Sequence, residues 1–345
     1  MHLLRIAAFA LLASVCLTAF ARDDDVRAKA AQLATEEVMI DSDAPGIRLY
    51  LRNKHPKGLA PSARHTLLFV HGATYPAETS FDLPLDGLSM MDYIAAHGWD
   101  VWLVDLRGYG RSTRPAEMAR PAQDNGPIVT TDVAIRDVGA AVDYVLQLRG
   151  LAKLQLMGWS WGTAIMGGYT AGHNDKVERL VLYAPLWLRN APPATGGASG
   201  PLGAYRAVTK EAAKQRWLNG VPQDKVADLI PAGWFDTWAN ATWATDPMSA
   251  ESGLLRAPNG VIHDVRNYWM AGKPTYAPGE IRVPTLVVGA EWDHDTPPSE
   301  AQTVFGLLKS APFKRRVEIG EGTHTVIMEE NRMQLFREVQ LFLDE

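Results

Sequence analysis

A short segment with a serine between two glycines carries the residue types needed for nucleophilic catalysis. Residues 158–162 read Gly-Trp-Ser-Trp-Gly, after the largely apolar residues 154–157 and before small and apolar residues at helical spacing. A serine on a sharp strand-to-helix turn has a strained backbone, and glycines without a Cβ let strand and helix approach closely around it. The pattern therefore predicts that Ser160 is a nucleophile held out over a sheet. An ordinary glycine-rich turn is the alternative interpretation.

A histidine and two aspartates offer the partners that a serine nucleophile needs, because its hydroxyl is barely ionised at neutral pH. His324 lies in a Gly-Thr-His stretch between the last predicted strand and the closing helix, and is the candidate general base. Asp293 follows another predicted strand and is the candidate carboxylate that orients His324, with Asp295 as a competitor. An ordinary histidine and a solvated loop carboxylate are the alternatives. Together these residue types predict acyl transfer.

Strand-like and helix-like segments alternate along most of the chain. Apolar patterns predict strands at residues 36–40, 46–51, 66–70, 100–105, 154–157, 177–185, 283–289 and 313–319. Helical spacing predicts helices at residues 88–96, 132–148, 299–308 and 328–343, besides the one after Ser160. The alternation predicts an α/β fold with a mainly parallel sheet, helices on both faces and an antiparallel hairpin at one edge. His71, Ser160, Asp293 and His324 each follow a predicted strand, where such sheets bind ligands.

The alternation breaks down between about residue 187 and residue 272. This stretch contains Pro- and Gly-rich segments, short helical pieces and the tryptophans Trp187, Trp217, Trp234, Trp238, Trp243 and Trp269. We predict that residues 187–272 form a helical cap inserted into a core of residues 22–186 and 273–345. The tryptophans either line an acyl or aromatic pocket or simply pack as core. Candidate substrate contacts are Tyr75, Trp159, Trp187 and Trp238.

The N-terminus has the pattern of a secretory signal peptide. A basic start with Arg5 precedes the mostly apolar residues 6–20, and Ala19-Phe20-Ala21 is a small-x-small cleavage site. The pattern predicts cleavage after about Ala21 and a secreted or periplasmic protein. A membrane anchor is the alternative, although the apolar run is too short to span a bilayer. Cys16 is the only cysteine and lies in this peptide, so the mature chain has neither a disulfide nor a thiol nucleophile.

Composition narrows the classes of function. The 345 residues are 47% hydrophobic and 21% charged, as in ordinary globular proteins, and the net charge is −5. The sequence has no basic patch, which argues against nucleic-acid binding. It has neither metal-ligand spacing of His, Cys, Asp and Glu nor a glycine-rich phosphate loop, so we expect no metal and no cofactor. No later segment predicts stable membrane insertion.

Several motifs occur in the order found in one known family. They are His71-Gly72 after a strand, residues 105–112, the segment around Ser160, the loop from Gly289 through Asp293 to Pro297, and Gly322-Thr323-His324. With them the mature chain resembles the α/β-hydrolase family over nearly all of its length. The resemblance implies the fold of that family, a triad of Ser160, Asp293 and His324, and an oxyanion hole formed by the backbone N–H groups of Trp161 and Ala73. We assign structural roles to His71 and to the turn at residues 105–112.

Spacing decides between the two aspartates under this resemblance. The family loop commonly runs Gly-x-x-Asp-x-x-x-Pro, whereas here the gap between Gly289 and Asp293 is one residue longer. The spacing from Asp293 to Pro297 does match, which favours Asp293 as the triad acid. Asp295 is then expected on the loop surface or bonding the turn before Pro297.

The type of nucleophile selects among the activities of the family. A serine rather than an aspartate argues against dehalogenase and epoxide-hydrolase chemistry, so hydrolysis of a small carboxylic ester through an acyl-enzyme is the leading hypothesis. Residues 160–163 are similar to those of proline iminopeptidases, so an aminopeptidase or amidase is the second. Those enzymes have a glycine-proline-rich loop where residues 73–76 here read Ala-Thr-Tyr-Pro. A non-catalytic ligand-binding protein on the same fold is the third hypothesis.

Overall fold

An eight-stranded sheet forms the centre of the protein. The computed structural model describes residues 24–189 and 200–345, so the predicted signal peptide at residues 1–21 lies outside the described residues. The strands are β1 (Ala34–Asp41), β2 (Arg48–His55), β3 (Thr66–Val70), β4 (Asp100–Val104), β5 (Leu154–Trp159), β6 (Val177–Tyr183), β7 (Tyr205–Val208), β8 (Leu255–Pro258), β9 (Thr285–Ala290) and β10 (Lys314–Ile319). The large sheet has the order β1-β2-β4-β3-β5-β6-β9-β10. Strand β2 is antiparallel to β1 and β4, and all other neighbours in this sheet are parallel. The predicted parallel sheet with an edge hairpin is confirmed.

The central strands are buried on both faces, as their continuous apolar runs predict. In β3 the side chains of Leu67 and Phe69 join one core cluster, whereas those of Leu68 and Val70 join a second. Successive side chains of a strand point to opposite faces, so the two clusters lie on the two sides of the sheet. Helices cover both clusters, as a parallel sheet requires.

The helices include Ala77–Phe81, Met90–Ala96, Thr131–Arg149, Trp161–Gly172, Lys210–Trp217, Val226–Leu229, Trp234–Trp243, Ser249–Ser252, Gly260–Asn267, Pro298–Leu307 and Arg332–Asp344. The five for which the sequence predicts a position, namely those that begin at Met90, Thr131, Trp161, Pro298 and Arg332, lie close to it. The closing helix begins four residues later than predicted, because Val326–Met328 forms a separate 3-10 turn. Over the described ranges, no helix is both long enough and apolar enough to cross a bilayer.

Part of the segment between β6 and β9 packs against the carboxyl end of β5, and another part joins the core cluster on the opposite face of the sheet. We call the segment's described residues within the predicted boundaries, 187–189 and 200–272, the cap segment. Trp217 and Trp238 meet edge to face at 5.1 Å and belong to the same core cluster as Met157 of β5. Besides short helices, the cap segment contains an antiparallel pair of strands, β7 and β8. This small sheet was not predicted from the sequence.

Candidate active site

Ser160 lies on a strained turn between β5 and the helix Trp161–Gly172. Its φ of 57° and ψ of −120° belong to a region that residues other than glycine rarely adopt. Two hydrogen bonds hold the turn: the Ser160 N–H donates to the Tyr183 carbonyl at 2.9 Å, and the Ser160 carbonyl accepts the Thr163 N–H at 2.9 Å. The strand, turn and helix that the sequence predicts around Ser160 are therefore present.

Gly158 and Gly162 let the strand, the helix and the neighbouring loop approach one another. A Cβ on Gly158 would lie 2.2 Å from the carbonyl oxygen of Gly162. A Cβ on Gly162 would lie 2.7 Å from the carbonyl oxygens of Val70 and His71. Both positions thus require glycine for steric reasons.

We expect Gly158→Ala to destabilise the protein by about 3 kcal/mol, because the Gly162 backbone has no flexible end that can move away. The urea concentration at the midpoint of unfolding measures this effect. Gly172→Ala is the matched control. Gly172 is the last residue of the helix that follows Ser160, and no atom lies within 4 Å of a Cβ built there. Equal midpoints for the two variants would show that the turn tolerates a side chain at Gly158.

His324 and Asp293 are joined by a hydrogen bond in the loops that follow β10 and β9. His324 Nδ1 lies 2.9 Å from Asp293 Oδ2. Asp293 Oδ1 accepts the N–H groups of Asp295 and Thr296 at 2.9 and 2.8 Å, and Oδ2 also accepts the Thr296 hydroxyl at 2.8 Å. These bonds fix the direction of the carboxylate. Because an ionised carboxylate only accepts, Nδ1 carries the imidazole proton and Nε2 is left as an acceptor.

The backbone of His324 is tied to the strands that carry Ser160. The Trp159 indole and the Tyr183 hydroxyl donate to the His324 carbonyl at 3.1 and 2.9 Å. The preceding residue, Thr323, donates its N–H at 2.9 Å and its hydroxyl to the carboxylate of Glu329. Burial raises the pKa of Glu329 to about 7. These contacts place the imidazole and the serine turn on one rigid support.

Asp295 is buried, so the expectation that it lies on the loop surface or bonds the turn before Pro297 is wrong. Its Oδ2 accepts a hydrogen bond from Arg216 Nε at 2.6 Å. Its Oδ1 has no hydrogen-bond partner within the described part of the chain. Burial alone would raise the pKa of Asp295, but the charge and hydrogen bond of Arg216, together with the charge of Arg189 and the effect of His324, hold this pKa below its ordinary value. Asp295 is therefore a charged group held by the cap segment.

Ser160 and His324 face the same narrow cavity between the sheet and the cap segment. The cavity has a volume of about 20 Å³, which is room for about one water molecule. The Ser160 hydroxyl and His324 Nε2 make no hydrogen bond to any described residue in this arrangement. The wall is formed by Gly72, Ala73, Thr74, Tyr75, Trp159, Ser160, Ala213, Arg216, Trp217, Trp238, Asp295, His324 and Thr325.

The two backbone N–H groups expected in an oxyanion hole lie beside Ser160. Trp161 is the first residue of its helix, where an N–H has no partner within the helix. Ala73 lies on the cavity wall, and Gly72 brings its loop close, since a Cβ on Gly72 would lie 3.2 Å from the Ser160 Cβ. Neither N–H donates to a residue that the structure describes. The site thus offers two free donors next to the serine.

The buried His71 holds the loop that carries Ala73. Its Nε2 accepts the Leu106 N–H at 3.1 Å, so Nδ1 carries the proton and donates to the Gly72 carbonyl at 2.7 Å. Burial lowers the pKa of His71 to about 4, so the ring is neutral at physiological pH. The Gly72 C=O and the Ala73 N–H belong to one planar peptide and point in opposite directions. The bond from His71 therefore also sets the direction of the Ala73 N–H.

We expect the stability difference between the wild type and His71→Gln to shrink as the pH falls. The pKa of His71 is about 4 in the folded state and about 6.5 in the unfolded chain. The stability that the neutral imidazole contributes is therefore complete above about pH 6.5 and is lost progressively as the pH falls from about 6.5 through 4. Between pH 7.5 and pH 5 the difference should narrow by about 2 kcal/mol. Urea unfolding of both proteins at the two pH values measures it. Glutamine is neutral throughout, so a constant difference would contradict a buried neutral imidazole.

Three of the four predicted substrate contacts lie on the cavity wall. Tyr75, Trp159 and Trp238 line it, and the Tyr75 and Trp238 rings meet edge to face at 4.7 Å. The prediction for Trp187 is wrong, because this side chain lies in the core cluster on the other face of the sheet. There its ring contacts Tyr276 at 5.2 Å.

One helix face that was not predicted from the sequence reaches the cavity. Ala213, Arg216 and Trp217 lie on the wall and are spaced i, i+3 and i+4 on the helix Lys210–Trp217. An arginine within an otherwise apolar helical face is the signal that could have pointed to this contact. Among the described side chains, no group of three or more His, Cys, Asp and Glu is arranged to hold a metal ion.

A sequence-family match decides the relationship of this chain to known proteins. Residues 65–331 match the family described as alpha/beta hydrolase fold. The chain belongs to this family. The resemblance found from the motifs is thereby confirmed, and the matched range of the alpha/beta hydrolase contains Ser160, Asp293 and His324.

Individual relatives of this alpha/beta hydrolase agree with the assignment. It is 25% identical over 130 residues to the lipase lipl-3 of Caenorhabditis elegans, covering 36% of this chain and 32% of that protein. It is 26% identical over 186 residues to Lipase 3 of Drosophila melanogaster, covering 51% of this chain and 46% of that protein. The chain thus spans less than half the length of these curated relatives.

A solved structure shares the fold of this chain. It is a thermophilic esterase from Thermogutta terrifontis, with a TM-score of 0.59, 17% identity and coverage of 90% of this chain and 100% of that chain. Family membership and the lipase relatives support a hydrolase.

Proposed function

We propose that this protein hydrolyses carboxylic esters of small molecules through an acyl-enzyme on Ser160. One observation carries the proposal: the 2.9 Å hydrogen bond between Asp293 and His324 orients an imidazole that shares a cavity with a serine on a strained turn. A general base needs a fixed tautomer and orientation, and Asp293 supplies both. The lipase and esterase names of the relatives support an ester as the substrate.

In the first half of the proposed reaction, Ser160 acquires the acyl group. His324 Nε2 takes the hydroxyl proton while Oγ attacks the ester carbonyl carbon. The carbonyl oxygen becomes an oxyanion that accepts the N–H groups of Ala73 and Trp161. Loss of one such donor typically costs about 10²–10³ in turnover. The imidazolium then gives its proton to the leaving alkoxide, and the alcohol departs.

In the second half, water repeats the attack. His324 Nε2 takes a proton from the water as the oxygen adds to the acyl carbon, and the same two N–H groups hold the new oxyanion. Ser160 Oγ leaves and regains the proton from the imidazolium. The products are a carboxylic acid and the free enzyme.

An amino-acid amide is the second candidate substrate, and one observation favours it. Asp295 lies on the cavity wall and its Oδ1 has no described partner, so a substrate ammonium group that reached this oxygen would find a free acceptor. However, Arg216 is bonded to the other oxygen of the same carboxylate at 2.6 Å and offsets its charge. The ester is therefore the stronger candidate.

Two chromogenic substrates separate the hypotheses. The protein is incubated with a short-chain nitrophenyl ester and, separately, with an amino-acid nitroanilide. Release of nitrophenol without release of nitroaniline supports the esterase. Faster release of nitroaniline would favour the amidase, and turnover of neither, together with no labelling by a fluorophosphonate, would favour a binding protein.

We further propose that the predicted domain at residues 187–272 is a lid that selects the substrate, because its Ala213, Trp217 and Trp238 form part of the cavity wall. Trp238→Leu is expected to change the relative rates on acetate and longer-chain nitrophenyl esters by about tenfold, since the indole borders the space for the substrate. Trp243→Leu is the matched control, because Trp243 is buried in the same cluster but is not on the wall. Equal loss of stability in both variants with unchanged relative rates would contradict the proposal.

We also propose that residues 1–21 are a signal peptide and that the protein acts outside the cytoplasm. The support is the pattern of Arg5, the apolar run and the Ala19-Phe20-Ala21 site. Protein recovered from the exported fraction of a bacterial host should have the mass of a chain that begins at about Arg22. An intact mass that retains Met1 in that fraction would contradict the proposal.

A further inference from the structure

One arginine ties the cap segment to the loop of Ala73. Arg206 of β7 donates from Nη2 to the Ala73 carbonyl at 2.5 Å and to the Thr74 hydroxyl at 2.9 Å. Its Nη1 donates to the Pro258 carbonyl of β8 at 2.5 Å. A single guanidinium thus joins the loop after β3 to both strands of the small sheet.

Arg206 has no carboxylate partner in the part of the chain that the structure describes. Its Nε is closed off from solvent and has no hydrogen-bond partner. Burial is the main reason why the pKa of Arg206 lies below its ordinary value. The neighbouring groups that raise this pKa are the phenols of Tyr109 and Tyr75, and neither is a carboxylate. By contrast, Arg256 of β8 is paired with Asp246 at 2.6 Å. A half-buried cation without a counter-charge is expected to lower stability, so its position calls for another explanation.

The hydrogen bonds of this loop fix the peptides on both sides of Ala73. His71 holds the Gly72 carbonyl at 2.7 Å, which belongs to the peptide before Ala73. Arg206 and the Tyr109 hydroxyl hold the Ala73 carbonyl at 2.5 and 2.8 Å, which belongs to the peptide after it. Turning the Ala73 N–H away from the cavity would break a bond on at least one side.

We propose that Arg206 is a positioning residue for the step in which the oxyanion forms. It keeps the Ala73 N–H directed at the oxyanion and places an uncompensated positive charge beside the loop where negative charge develops. The inference rests on the proposed ester hydrolysis. Since Arg206 belongs to the cap segment, it also couples the N–H donor to the position of that segment.

The test compares Arg206→Met and Arg206→Lys with the wild type on one nitrophenyl ester. We expect Arg206→Met to lower kcat by about 10²-fold, the effect of losing an oxyanion donor, with little change in KM. Arg206→Lys keeps the charge and should recover about tenfold of that loss. An alkyl boronic acid, which forms a tetrahedral adduct on a serine, should bind more weakly in proportion to kcat/KM, whereas the unreactive ether analogue of the ester should bind equally well.

Arg256→Met is the matched control. It removes a guanidinium from the same small sheet without touching the Ala73 loop, so it should lower the melting temperature and leave kcat unchanged. If Arg206→Met fails to fold, Arg206→Lys and Tyr109→Phe carry the test. Tyr109→Phe removes the second bond to the Ala73 carbonyl, and kcat and boronic-acid affinity should then fall together by a few fold.

The inference is overturned if the folded Arg206 variants keep the kcat of the wild type, or if they change only KM or only stability as Arg256→Met does. The inference is also overturned if Arg206→Lys and Tyr109→Phe both have the same kcat and the same boronic-acid affinity as the wild type. A wild type that hydrolyses no ester contradicts the proposed function itself. An active wild type with equally active Arg206 variants contradicts the inference alone, so the two failures are distinguishable.

Discussion

Ester turnover by Ser160→Ala is expected to be about 10⁶-fold lower than that of the wild type, in a protein that still folds. In the proposed reaction Ser160 Oγ takes the acyl group, and the members of a triad act as a unit. Alanine keeps the Cβ, so the backbone strain at φ 57° is the same in both proteins and the melting temperature should change little. The measurements are kcat on a nitrophenyl ester and covalent labelling by a fluorophosphonate.

Ser112→Ala is the control for this prediction. Ser112 is also buried, but its hydroxyl accepts the Tyr50 N–H at 2.7 Å and donates to the Asp105 carbonyl at 2.6 Å, so its role is to hold the turn after β4. Ser112→Ala should lose stability and keep its labelling. Labelling that survives in Ser160→Ala would assign the nucleophile to another residue.

Asp293→Asn is expected to lower turnover by about 10⁴-fold and to leave substrate binding largely intact. The reason lies in the N–H groups of Asp295 and Thr296, which point at Oδ1 from 2.9 and 2.8 Å. They select the orientation in which the new amide places its oxygen there and turns its NH₂ to His324 Nδ1. Nδ1 must then accept, so the proton moves to Nε2 and the ring can no longer take the proton of Ser160.

Asp295→Asn is the matched comparison, because the two aspartates are neighbours in one loop and both are buried. Asp295 contacts Arg216 rather than His324, so turnover should change by less than about tenfold. Leaving Arg216 without its counter-charge should cost about 3 kcal/mol of stability. For both variants, turnover is measured on the same ester and stability is measured by urea unfolding. A larger loss of turnover in Asp295→Asn than in Asp293→Asn would reverse our assignment of the triad acid.

The local features of the fold could be predicted because their physical requirements lie within short segments. The run from Thr66 to Val70 is typical of a strand buried on both faces, and it is β3. The glycines at 158 and 162 specify a close approach of backbones, and both are in steric contact. The spacing from Asp293 to Pro297 places one carboxylate where it reaches His324. In each case neighbouring residues carry the information.

The features that were missed depend on partners far away in sequence. Asp295 looked like a loop-surface residue because the group that buries it, Arg216, is 79 positions distant and on another element. The strands β7 and β8 are four residues each and pair Tyr205 with Pro258, so neither has a pattern long enough to identify. Trp187 could not be separated from the cap tryptophans, since only the course of the chain after β6 shows which face of the sheet it reaches.

The cavity beside Ser160 is narrow, about 20 Å³, so under the proposed function an ester would enter it by displacing part of the cap segment. If only a minority population has the cap segment displaced, the free energy of that opening is subtracted from the binding energy. If one molecule in a hundred is open, the observed dissociation constant is about 100-fold weaker than the intrinsic one. The frequency of opening then limits how fast substrate enters and product leaves.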